Sequence, residues 1–333
     1  VTAARDDAAV ELDCLLGRSD SLRAEVFFRA VLPSGVEPAA AMLTGTLTGP
    51  ECRHAITLPV TAKLATVPGS PAGLAPEAAD SVVARAILTE PSFWTPELPN
   101  LYRLEARLDA AGSERAVWRR RVGLRRLGVR GRSLWLDGRR YVPRGLAAPA
   151  ERVDLTAFRA ASLAAVVPDP SDDFLTRADA EGLAVIGLLA ADTGRPLDAE
   201  AAVAAVVRWA WHPAVIGAVV PRGVAAEQAS EIASATRGRR GTLLVVWEAD
   251  GMLPPPAVPA GIDLLVVALP PDGLPHEAWR TEPPVPLIAR RTGPPAAGSE
   301  PTRRGCDALQ TALAAWGDGR PGPRWDWAGY LAG

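Results

Sequence analysis

Acids and arginines placed at the ends of short apolar runs are the residues of this chain whose types could do chemistry. Asp169, Asp192, Glu248, Asp250 and Asp326 each lie at or just beyond such a run. Two carboxyl groups brought within reach of one another can divide acid and base roles. Glu248 or Asp250 with Asp326 is the pair that could be assembled here; solvated loop carboxylates are the alternative. Arg222, Arg290 and Arg291 are candidates for holding a carboxylate or phosphate by bidentate hydrogen bonds, or for surface ion pairs with nearby acids. Trp325 and Trp327 are the tryptophans best placed for a ligand or partner surface. His212 precedes a proline at the start of an apolar run and reads as a structural histidine. No phosphate-binding glycine loop, Cys-x-x-Cys pair or nucleophile elbow is present, so no cofactor and no metal is expected. Cys14, Cys52 and Cys306 are too few for a disulfide framework; Cys14 and Cys52 could pair, or all three could be free thiols.

The elements that must position these residues fall into two regions. Residues 1–127 carry short alternating stretches, such as Leu22-Arg23-Ala24-Glu25-Val26-Phe27-Phe28, broken by Gly, Pro and Ser clusters. Period-two patterning with frequent turns is the mark of a β-sandwich, here of about seven strands. Residues 128–333 change to continuously apolar runs alternating with alanine-rich segments, the pattern of buried parallel strands and covering helices. Candidate strands are 141–146, 163–167, 183–188, 215–220, 242–247, 263–269, 285–289 and 324–327, and candidate helices 172–181, 199–211, 224–236 and 302–316. The stretch 251–259 is too rich in proline to be helical. Eight strand-like runs in about 200 residues suggest a short (β/α)8 barrel.

Composition bounds the function. The 333 residues are 48% hydrophobic and 22% charged, which suits two folded domains. A net charge of -2 gives no general attraction for nucleic acid or an anionic membrane. No apolar run is long enough for a transmembrane segment. The sequence starts at Val1, consistent with signal-peptide removal, methionine trimming or truncation. An extracytoplasmic location, periplasmic or secreted, is the expectation, with a cytoplasmic one as alternative.

Three motifs in order carry a family resemblance. Phe93-Trp94-Thr95-Pro96-Glu97-Leu98-Pro99-Asn100-Leu101-Tyr102 is followed by Arg121-Val122-Gly123-Leu124-Arg125, and then by Leu134-Trp135-Leu136-Asp137-Gly138-Arg139-Arg140-Tyr141-Val142-Pro143-Arg144-Gly145. The set resembles glycoside hydrolase family 2, which includes β-galactosidases, β-glucuronidases and β-mannosidases. Weaker matches follow at Ala178-Asp179-Ala180-Glu181-Gly182-Leu183 and at Trp211-His212-Pro213. The resemblance implies an immunoglobulin-like β-sandwich over 1–127 and a degenerate (β/α)8 barrel over 128–333, with no counterpart of the family's sugar-binding jelly roll. Trp94, Trp135 and Trp247 then fall on core motifs or strands.

The resemblance also locates the catalytic positions. The acid/base glutamate after the fourth barrel strand aligns with Gly223, next to Arg222, and the nucleophile after the seventh with Arg291. The supporting arginine after the second strand aligns with Val167, and the asparagine after the first strand's Arg-Gly with Ala147. No glutamate lies between Pro213 and Val224 or between Pro283 and Ser299, so a small slip of register restores neither. The expectation is a catalytically inactive relative acting as an accessory or scaffolding subunit through contacts with other protein subunits of a larger complex. The alternatives are a non-catalytic carbohydrate-binding protein, and a retaining glycosidase with relocated carboxylates at Glu248, Asp250 and Asp326. The barrel mouth is expected to be shallow and plugged by Arg290 or Arg291, with Asp250, Asp326 or a carbonyl in reach.

Overall fold

The computed structural model describes residues 10–68, 80–189, 197–293, 298–318 and 325–333. Seven antiparallel strands form the first unit: β1 (Leu12–Ser19), β2 (Arg23–Val31), β3 (Ala41–Glu51), β4 (Val60–Val67), β5 (Ser81–Thr89), β6 (Leu101–Ala110) and β7 (Ser113–Val122). They run in the order β1-β2-β5-β4-β3-β6-β7. The first half of β4 pairs with β3, at Val60 to Leu64, and its last three residues pair with β5. One strand thereby joins two layers, and the sheet folds over on itself as a β-sandwich. Alternation decides the faces: along β6, Leu104, Ala106 and Leu108 point inward while Arg103, Glu105 and Arg107 face solvent.

Three short strands, β8 (Leu127–Arg130), β9 (Ser133–Leu136) and β10 (Arg139–Tyr141), form a separate sheet. Leu127, Leu134 and Leu136 from it join Val166, Ile186, Ile216, Val246, Val266 and Ile288 in one buried cluster. The small sheet therefore stoppers the N-terminal end of the barrel with leucine.

The barrel closes through eight parallel strands: β11 (Arg144–Ala147), β12 (Ala164–Pro168), β13 (Val185–Leu188), β14 (Val215–Val220), β15 (Leu244–Asp250), β16 (Leu264–Leu269), β17 (Leu287–Arg291) and β18 (Gly329–Ala332). Its outer residues, such as Val167, Val215, Val245 and Leu265, belong to a larger cluster shared with the helices. Those helices are α1 (Leu155–Ala160), α2 (Asp172–Glu181), α3 (Ala199–Trp209), α4 (Ala226–Thr236) and α5 (Ser299–Gly317). Asp154, Ser171 and Asp198 cap α1, α2 and α3 by accepting backbone N–H bonds of the first turn. No α-helix links β15 to β16, where four prolines fall between 254 and 259, and only a 3-10 turn, Glu277–Arg280, lies between β16 and β17.

Several boundaries differ from the sequence reading. The last strand is 329–332 rather than 324–327, because Trp327 is drawn into an aromatic cluster that precedes it. The short helix α1 was not expected, and α5 begins and ends beyond the 302–316 anticipated. Cys14, Cys52 and Cys306 are all free thiols.

Sandwich and barrel are joined by specific contacts. Trp94, fully buried, donates its indole N–H to the Asp179 carbonyl. Gly182 ends α2 in the left-handed region at φ 85, and a Cβ there would stand 2.4 Å from the Pro96 carbonyl oxygen, so the sandwich loop rests on a helix end that only glycine permits. Asp13 of β1 accepts from Arg29 at 2.7 Å and from Arg239, beyond α4, at 3.2 Å.

Candidate active site at the barrel mouth

In a parallel barrel, the C-terminal ends of the strands converge on one face, and the chemistry of such folds gathers there. Interior positions follow period two from the core: Leu244 and Val246 of β15 lead to Glu248, and Ile288 of β17 leads to Arg290. Glu248 and Arg290 are therefore the first polar side chains above the apolar layers on these two strands. Arg290 Nη1 donates to Glu248 Oε1 at 2.7 Å, and the backbone N–H of Arg222 donates to Glu248 Oε2 at 3.2 Å. Both carboxylate oxygens of Glu248 are thus engaged. Asp250, two residues on, accepts from Arg222 Nη1 at 3.4 Å. Asp169, beyond β12, accepts from Arg208 at 3.1 Å. Asp169, Glu248 and Asp250, the expected acids that lie at this end, each face an arginine.

Gly223 follows β14 with φ 97, exposed and with no heavy atom within 4 Å of where a Cβ would lie. Arg291 ends β17 part-buried, with its Nε sealed and without a hydrogen-bond partner among the described residues. Val167 faces the helix layer and Ala147 ends β11 beside the interior cluster, so neither offers a polar group to the mouth. Asp192 lies outside the described residues.

Asp326 is not at this mouth. It precedes β18 and accepts from Arg140 of β10 at 2.6 Å, at the stoppered N-terminal end. The proposed pairing of Asp326 with Glu248 or Asp250 is thereby corrected, since the barrel core separates them. The error has one physical source: placing the last strand a few residues early puts its preceding loop at the wrong end. Trp327 is 5% exposed and packs between Trp325, at 5.2 Å, and Trp316, at 6.5 Å. It serves packing, which removes it as an open stacking platform. The plug is Arg290, and its partner is Glu248 rather than the Asp250, Asp326 or carbonyl anticipated.

His212 sits at the opposite end of the barrel, before β14, with Nδ1 2.7 Å from Asp179 Oδ2. Asp179 also accepts the Ala214 backbone N–H at 2.9 Å. Burial raises the Asp179 pKa above the usual carboxylate value, against the opposing influence of His212, Ala214 and Arg125. Sequence reasoning missed Asp179; the signal available was an acid beside Phe174, Leu175 and Ala178 on the buried face of α2, which also carries Glu181. Among the described residues no cluster of His, Cys, Asp and Glu could hold a metal ion.

Comparison with known proteins bears on the fold. The sequence model of glycosyl hydrolases family 2 matches residues 55–125. A search of curated proteins gave no match. Among solved structures, Bifidobacterium dentium β-glucuronidase complexed with coumarin-3-O-glucuronide is similar at 14% identity and a TM-score of 0.63, over 98% of this chain and 60% of that one. A Bacteroides cellulosilyticus family 2 member is similar at 14% identity and a TM-score of 0.64, over 98% of this chain and 45% of that one. Bacteroides uniformis β-glucuronidase 2 gives 15% identity and a TM-score of 0.60, over 96% and 45%. The chain spans 45% to 60% of the length of these relatives. The chain therefore carries a match to the glycosyl hydrolases family 2 model over residues 55–125 and, over nearly its whole length, a sandwich-and-barrel fold similar to that of solved family 2 glycosidases.

Proposed function

We propose that this chain is a non-hydrolytic family 2-like protein that acts as an accessory or scaffolding subunit through protein–protein contacts. The observation that carries the reading is the Arg290–Glu248 pair. A retaining glycosidase needs two carboxyl groups about 5 to 5.5 Å apart, one free to attack and one to exchange a proton. Glu248 has both oxygens occupied, and the positions that align with the family's glutamates carry Gly223 and Arg291, which can do neither. A guanidinium stays protonated and is no nucleophile. A retained fold without its chemistry is compatible with a binding role, because function resides in the site rather than in the architecture. The rim of the mouth also exposes Met252, Leu253 and Leu274, apolar side chains suited to a protein contact.

The test is turnover of 4-nitrophenyl β-glucuronide, β-galactoside and β-mannoside by the purified chain, with native mass measurement in its source extract. The expected result is release at the background rate and a mass above that of the lone chain. Saturable turnover would overturn the non-hydrolytic reading, and a lone monomer would overturn the subunit role.

A further inference from the structure

The loops that leave β15 and β16 form an apolar ledge on the rim of the barrel mouth. Met252, Leu253 and Leu274 are 44% to 59% exposed there, and Pro254, Pro270 and Pro271 are exposed on the same two loops. The loops touch: a Cβ on Gly273 would stand 3.3 Å from Met252 Sδ, and His276 donates its backbone N–H to the Gly251 carbonyl at 2.8 Å. They are also anchored. Trp279, fully buried, donates its indole N–H to the Leu253 carbonyl at 2.8 Å, and the Met252 backbone N–H donates to Asp250 Oδ1 at 2.9 Å. Single exposed apolar side chains need no explanation, but three large ones on two touching, anchored loops make a patch that loses little entropy on docking.

Charges of opposite sign flank this ledge. Arg222, beyond the end of β14, has its side chain 56% exposed and one ion-pair contact, with Asp250 at 3.4 Å. Asp272, in the loop after β16, is exposed and forms no ion pair among the described residues. In the barrel, β15 lies between β14 and β16. The rim therefore runs in strand order from a cation through the apolar side chains to an anion. A surface of that kind is complementary to itself after a half turn, which is what an isologous contact requires.

We propose that two copies of this chain dock mouth to mouth about a two-fold axis through the ledge of Met252, Leu253 and Leu274, with Arg222 of each copy meeting Asp272 of the other. The contact rests on the non-hydrolytic reading, because a glycosidase must keep this face open to substrate, whereas a mouth filled by Arg290 and Glu248 can be covered.

The experiment is sedimentation velocity of the purified full chain at micromolar concentration. The expected mass is twice the 34.9 kDa of one chain. Leu253→Glu, which sets like charges against each other at the axis, should weaken the dimer by about tenfold or more. Arg222→Glu and Asp272→Arg should each sediment as a single chain, because the two copies then meet like charge to like charge. Mixing these two variants should restore the doubled mass, since every pair across the axis is again of opposite sign. All three side chains are exposed, so the substitutions leave the core unaltered. Three results would overturn the proposal: a wild-type mass of one chain; a doubled mass that survives Leu253→Glu or either charge variant alone; or a mixture that stays at the mass of one chain. A single-chain mass with no aryl-glycoside turnover removes the dimer alone, whereas saturable turnover removes the non-hydrolytic reading.

Discussion

Arg290 Nη1 lies 2.7 Å from Glu248 Oε1, across the interior of the barrel from β17 to β15, with side chains 18% and 10% exposed. A pair so covered is worth little against an apolar replacement, but breaking it is costly, because the remaining charge stays buried. Arg290→Met is therefore expected to lower the stability by about 2–3 kcal/mol. The double variant Arg290→Met with Glu248→Leu should recover most of that loss. Urea unfolding of both variants measures the difference, and a single-variant loss below about 1 kcal/mol would show a solvated pair.

Gly223 offers a second test at the same mouth. Its φ of 97 lies where a side chain is strained, while the space around its missing Cβ is open. Gly223→Ala should cost about 1–2 kcal/mol through the backbone alone. Gly223→Glu with Arg291→Glu should leave aryl-glycoside turnover at the wild-type background, because the first glutamate would sit on strained backbone and Arg290–Glu248 would still fill the mouth. A rate rise in that double variant would show that carboxylates at these two positions are enough for turnover in this barrel.

Which parts of this arrangement the sequence displays depends on range. Alternation along β6 and the apolar runs of β14, β16 and β17 are local properties of the chain, and they read correctly. That Arg290 points inward and Arg291 does not also follows from period two once Ile288 is known to face the interior. That phase is set by barrel closure, which no local pattern reveals. The partner of Arg290 was missed for the same reason, since Glu248 is 42 residues away on a strand that meets β17 only across the interior. Asp326 failed differently: an aromatic cluster resembled a strand, and a shift of a few residues exchanged one end of the barrel for the other.

At the seam between the units, Asp13 is the shared acceptor for Arg29 and Arg239, with its own side chain 1% exposed. Asp13→Asn would remove the carboxylate partner of the buried Arg29 and one of the two that face Arg239, which keeps Glu11 at 2.6 Å. A loss of about 3 kcal/mol is expected. Because Arg239 belongs to the barrel and Arg29 to the sandwich, calorimetry should also change from one unfolding transition to two. A single transition with an unchanged midpoint would mean that Trp94 and Gly182 hold the units together without this pair.

Cys14 tests the chemistry of the same seam. It neighbours Asp13 and lines a cleft beside Arg125, and burial together with the Asp13 charge pushes its thiol up to about 12. The thiolate is the reactive form, and at pH 8 only about one Cys14 in 10⁴ carries it. Cys306 is fully buried and its thiol is also raised by burial. Cys14 and Cys52 are both part-exposed, but Cys14 is held as the thiol, so Cys52 alone should react promptly with methyl methanethiosulfonate in the native protein at pH 8. The rate at Cys14 should then climb about tenfold per pH unit up to pH 11, because each unit multiplies the thiolate fraction tenfold while pH stays below the pKa. Peptide mapping of the labelled chain separates the sites, and unfolding in urea should bring the count to three free thiols. Prompt labelling of Cys14 at pH 8 would show that the seam admits solvent freely around the thiol, and a count of one after unfolding would show that Cys14 and Cys52 are joined.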